Sequence, residues 1–89
     1  MDWSSPPADF RFILFERHSP AENVARFYYL AWQQTLFETG AVVRVYGRKR
    51  GFQKVMSPQP FASLHEAWPL IRAVIKARLR HGYQIVQPQ

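Results

Sequence analysis

Residues Val24-Ala25-Arg26-Phe27-Tyr28-Tyr29-Leu30-Ala31-Trp32-Gln33-Gln34-Thr35-Leu36-Phe37, then Glu38-Thr39-Gly40, then Ala41-Val42-Val43-Arg44-Val45-Tyr46, decide the fold. The first run is rich in aromatic residues that suit a pleated surface, while its Leu30, Ala31, Gln33, Gln34 and Leu36 also suit a helix. The neighbouring residues settle the choice. Glu38-Thr39-Gly40 supplies a short glycine-containing turn, and the β-branched Val42, Val43 and Val45 favour extension. The pair therefore predicts a β-hairpin with strands near residues 25–37 and 41–47.

Working outward, Phe10 to Arg17 is almost wholly apolar or basic. Phe10, Phe12 and Leu14 fall on one face and Ile13 and Phe15 on the other, which predicts a strand covered on both sides. Ser19-Pro20-Ala21-Glu22-Asn23 turns the chain. Residues 1–9 hold two prolines and two serines without hydrophobic periodicity and are expected as a flexible tail. Beyond the hairpin, Gly47 to Gly51 is a second turn, followed by a short strand near residues 52–56. Ser57-Pro58-Gln59-Pro60 is expected to end the sheet. Ser63 and Glu66 form a capping box, and Leu64, Ala67, Trp68, Ile71, Val74, Ile75 and Leu79 make one apolar face, which predicts a helix from Leu64 to Arg80. Pro69 predicts a kink or an irregular first turn, and Gly82 a stop. Tyr83 to Val86 adds a short extended piece. The class is α+β, with one domain over residues 10–86 and a tail at 87–89.

Composition bounds the function. A chain of 89 residues is one small domain, and 47% apolar residues, including seven Phe, four Tyr and three Trp, suffice for a core. No cysteine is present, which excludes disulfides, thiolate zinc and a cysteine nucleophile. Charged residues interrupt every apolar run, so no spanning helix and no membrane role are expected. The opening residues lack the pattern of a secretory leader, and the expected location is the cytoplasm. His18, His65 and His81 stand apart with no metal-ligand spacing, and no phosphate loop, dinucleotide fingerprint or serine-hydrolase elbow occurs. Glu22 and Glu66 fit a turn and a cap. No catalytic constellation, cofactor or metal is expected.

Charge is distributed unevenly. Residues 1–43 carry three arginines against five carboxylates, whereas residues 44–89 carry nine cations against Glu66, so the net +6 belongs to the second half. Such an excess attracts polyanions, with plain solubility as the competing reading. Between Arg44 and Lys54, five of eleven residues are cationic, none is acidic, and Tyr46 and Phe52 interleave with them. Cations bind phosphates, an exposed ring stacks on a base, and glycine permits close backbone approach. The candidate binding residues are Arg44, Tyr46, Gly47, Arg48, Lys49, Arg50 and Lys54, and the alternative is a solvated hairpin tip.

Four landmarks in order resemble the WGR domain family, named for a Trp-Gly-Arg motif and found in DNA-damage-activated poly(ADP-ribose) polymerases and many bacterial proteins. Asn23-Val24-Ala25-Arg26-Phe27-Tyr28 resembles its Asn-x-x-Lys-Phe-Tyr segment. Tyr46-Gly47-Arg48 occupies the name motif with Tyr for Trp. Phe61 through Ala67 resembles its Phe-x-Ser-x-x-Glu-Ala helix start, and Lys76 through Tyr83 its closing Lys-x-x-x-Gly-Tyr pattern. After the Arg, the family's glycine-rich turn is here the shorter, more basic Lys49-Arg50-Gly51-Phe52-Gln53. The resemblance implies a twisted antiparallel sheet with one C-terminal helix packed on it, and Phe27, Tyr29, Trp68 and Ile71 in the core. His65, Arg72, Lys76 and Arg80 fall on the helix's other side and are expected to be solvated. In the polymerases the motif Trp packs at a DNA end. The expectation is a non-enzymatic DNA-binding module, bacterial and of unspecified oligomeric state, with a protein-interaction domain or small homodimeric adaptor as the alternative.

Overall fold

The structure is a computed structural model that describes residues 3–35 and 39–88. Alternating apolar residues make β1 (Phe12–Ser19), and Pro20–Glu22 closes one 3₁₀ turn. Asn23 leaves that turn at φ 53°, a left-handed conformation that Asn tolerates better than most residues, which gives a backbone reason for Asn at this landmark. The hairpin follows as β2 (Val24–Gln34) and β3 (Gly40–Arg48), paired antiparallel from Arg26↔Arg48 to Gln34↔Gly40. Leu36 and Phe37 of the expected strand and Glu38 of the expected turn lie outside the described residues.

The outer edge of β3 takes two short strands in succession, β4 (Gln53–Val55) and β5 (Gln59–Phe61). The expectation that Ser57-Pro58-Gln59-Pro60 ends the sheet is corrected by β5, in which Pro60 pairs with Ala41. An edge strand tolerates proline because one side of its ladder has no partner to bond. Helix α1 (Leu64–Arg80) then runs unbroken through Pro69. Its cap is the expected one, with the Glu66 amide donating to Ser63 Oγ at 3.2 Å. Beyond its last residue, Arg80, and the cap His81, the chain turns away at Gly82, φ 87°, and the Tyr83 amide donates to the Arg78 carbonyl at 3.0 Å. Strand β6 (Gln84–Pro88) returns to pair with β1, giving the order β4-β3-β2-β1-β6, with β5 on β3. No helix among the described residues is long and apolar enough to cross a membrane.

Directly paired residues of antiparallel strands point to the same side, so the registers define two faces. The helix covers one of them. Ala67, Trp68, Ile71, Val74 and Ile75 of α1 bury against Phe10, Ile13, Phe15, Tyr28, Leu30 and Val42. Trp3, inside the expected tail, packs on Trp68, whose indole N–H donates to the Trp3 carbonyl at 2.8 Å. The other face carries Phe12, Leu14, Phe27, Tyr29, Val43 and Val45, all half-buried, and no helix among the described residues lies across it. Phe27 and Tyr29 are therefore not core residues as expected. Tyr28 and Leu30 take that place, because the alternation selects one set or the other and the resemblance alone does not say which. The shortest dimension, 17 Å, accommodates one sheet and one helix layer.

Candidate nucleic-acid interface

The expected site residues divide between the two faces. Strand alternation puts Arg44, Tyr46 and Arg48 on the helix side, and Lys54, paired with Tyr46, joins them at the edge. Arg44 is half-buried, and its Nη2 donates to Gln59 Oε1 at 2.6 Å, tying β3 to β5. Tyr46 is also half-buried. Its ring lies parallel to that of Tyr28, 5.5 Å between centroids and 9° between planes, so one ring face is already occupied.

Lys49 goes to the opposite face. Its amide donates to the Ala25 carbonyl at 3.0 Å, and its Nζ to Glu16 Oε1 at 3.1 Å. His18 Nε2 lies 3.0 Å from the same carboxylate. These hydrogen bonds, His18 first and Lys49 second, hold the Glu16 carboxyl below its ordinary range.

Gly47 explains its own place in the motif. It adopts φ 155°, and a Cβ there would run into the Phe52 carbonyl oxygen. Only glycine lets the returning strand approach so closely. The turn closes with the Arg48 amide donating to Phe52 O at 3.1 Å, and Arg48, Arg50 and Phe52 are exposed at its tip.

The registers also assemble a group that the sequence did not reveal. Arg17 pairs with Arg26 and Arg26 with Arg48, which puts three arginines in one cross-strand row over β1, β2 and β3 on the helix side. Because Ala25 and Lys49 are hydrogen-bonded to each other, the next pair, Arg26 and Arg48, is of the closer, non-hydrogen-bonded type, about 4.5 Å between Cα atoms. Beside this row, Arg78 of α1 sits 4.7 Å above the Tyr28 ring and 5.4 Å from that of Tyr83. Among the described residues no carboxylate pairs with Arg17, Arg26, Arg48 or Arg78. Like charges directly opposed across strands destabilise a sheet, so this row costs stability in the free protein. A count by chain halves hides Arg17 and Arg26, because it places them in the acidic half. The register of the hairpin joins Arg26 to Arg48, and that of β1 with β2 adds Arg17.

Two depressions flank this architecture. One, about 580 Å³, is lined by His18, Asn23, Ala25, Arg48, Lys49 and Arg50. The wider, about 850 Å³, lies between the Ala8–Phe12 segment, Tyr29, Trp32, Val43 and the helix start, and gathers none of the expected site residues. His18, His65 and His81 are exposed, and among the described residues no three His, Asp or Glu side chains are grouped to hold a metal.

No curated protein and no solved structure matches the chain. The family model for the WGR domain matches residues 11–89, from the residue before β1 to the last residue. WGR domains are small binding modules associated with nucleic acid. A match over nearly the whole length, joined to an antiparallel sheet with one C-terminal helix, makes this chain a member of the WGR family.

Proposed function

We propose that this chain is a non-enzymatic module that binds DNA by its phosphate backbone, through Arg17, Arg26, Arg48, Arg50 and Lys54. The observation that carries the reading is the three-strand arginine row, which has no carboxylate partner among the described residues. A polyanion relieves the repulsion within that row, so the energy stored in the free sheet is returned on binding. Tyr46 and Gly47 act as supports, the tyrosine against Tyr28 and the glycine by admitting the return strand. Arg44 and Lys49 hold the hairpin to its neighbours through Gln59 and Glu16. Phosphate contacts carry no base information, so sequence preference is not part of the proposal.

Fluorescence anisotropy on a short duplex over a range of salt concentrations tests this. Four or five phosphate contacts give log affinity a slope near −4 against log salt. No binding at low salt, or a slope near zero, rejects it.

A protein partner is the second reading. It is favoured by the uncovered face of Phe12, Leu14, Phe27, Tyr29, Val43 and Val45, extended at the edge by Val55, which is 69% exposed. Light scattering at high protein concentration decides whether that face joins two copies.

A further inference from the structure

One large apolar side chain at the basic tip remains outside every packing arrangement described so far. Phe52 is 80% exposed, against 69% for Val55 and less for Leu79 and Val86. Among the described residues its ring stacks on no other, whereas Tyr46, two residues before the turn, is held against Tyr28. The backbone of Phe52 is held in place. Its carbonyl accepts from the Arg48 amide at 3.1 Å and lies against the position where Gly47 lacks a Cβ. Three exposed cations surround it: Arg48 across the turn, Arg50 two residues before and Lys54 two residues after.

We infer that Phe52 is a base-stacking platform and that this surface takes nucleic acid offering an open base face, as in a single strand or at a duplex end. The inference rests on the proposed nucleic-acid reading and adds the ligand's form to it. An exposed ring carried on a fixed backbone among cations is the combination that single-strand binders use, because every base has a π face and stacking on it needs no particular sequence. Inside a continuous duplex both faces of each base are already stacked, so the ring contributes there only by prying a step apart. The arginine row grips phosphates in any nucleic acid, and Phe52 separates the forms. The motif position Tyr46 does not serve this role, since one of its ring faces belongs to Tyr28.

The test compares the parent chain, Phe52→Ala and Phe52→Trp on three probes with matched phosphate number. These are a short oligothymidylate, an open-ended duplex, and a dumbbell duplex closed by loops too short to expose a base. Phe52→Ala is expected to keep its far-UV circular dichroism and its melting temperature, because the ring is solvated. It is expected to bind the oligothymidylate about 5- to 150-fold more weakly at an unchanged salt slope, while dumbbell affinity stays at the parent's value. Phe52→Trp restores the affinity. A matching loss on the open-ended duplex extends the site to terminal bases, and its absence confines it to single strands. Equal oligothymidylate binding by Phe52→Ala and the parent overturns the inference alone, as does an equal loss on all three probes. A parent that binds none of the three overturns the nucleic-acid reading together with it.

Discussion

Replacing Arg26 with glutamine should make the free protein more stable and its DNA binding weaker. Arg26 is the middle of the row, with Arg17 opposite on β1 and Arg48 opposite on β3. Cross-strand pairs are worth about 0.2 to 1 kcal/mol, and exposed like-charged ones fall at the lower end, so relieving two of them returns roughly 0.5 to 1 kcal/mol. For a domain of this size that raises the melting temperature by roughly 2 to 6 °C in dilute buffer. Glutamine keeps much of the side-chain stem, which isolates the charge from the packing. Because the gain is electrostatic, it should vanish in about 1 M salt, where the screening length is about 3 Å. On duplex DNA the same variant should lower the magnitude of the salt slope by nearly one unit. Scanning calorimetry or circular dichroism melts at low and high salt provide the assay. A variant that melts below the parent at low salt, or that keeps its gain in high salt, refutes the idea that the row is a strained charge ladder.

Gly47→Ala should destabilise by about 2 to 4 kcal/mol, from a strained φ and a collision with the Phe52 carbonyl, and a urea midpoint within error of the parent would contradict it. Tyr46→Ala should cost about 2 to 3 kcal/mol through loss of a half-buried ring and its stack on Tyr28, yet bind DNA like the parent where both are folded; a large affinity loss without a melting change would return the ring to the interface. Glu16 titrates lower in the folded chain than in the unfolded one, so its contribution is present above the ordinary carboxylate range and is lost as pH falls from there through its lowered folded value. Glu16→Gln should flatten that part of the stability profile, and an unchanged acid limb would remove Glu16 as a contributor.

The secondary structure was legible because local signals agreed with one another. The valines of β3, the glycine-containing turn and the Ser63–Glu66 cap all pointed the same way. Strand β5 was not legible, since Pro58 and Pro60 argue against a ladder unless the strand is known to lie at an edge, and that is a property of the sheet rather than of the segment. The choice of core face was hidden for a related reason: in β2 both alternating sets, Phe27 with Tyr29 and Tyr28 with Leu30, are apolar enough to be buried. At the site, the hairpin cations were visible as a run, but a run does not show direction. Only the registers send Lys49 to Glu16 on one side and Arg48 to Arg26 on the other. They also bring in Arg17 and Arg26 from the half of the chain with net negative charge.

The central claim is that the arginine row binds phosphate, and one titration bears on it most directly. The parent and the Arg17→Gln/Arg26→Gln/Arg48→Gln variant are compared by anisotropy on the same duplex across a salt series, both confirmed folded by circular dichroism. The account predicts a slope near −4 for the parent, reduced in magnitude by nearly three units in the variant, with a matching loss of affinity at low salt. A variant that keeps the parent's slope and affinity would contradict it.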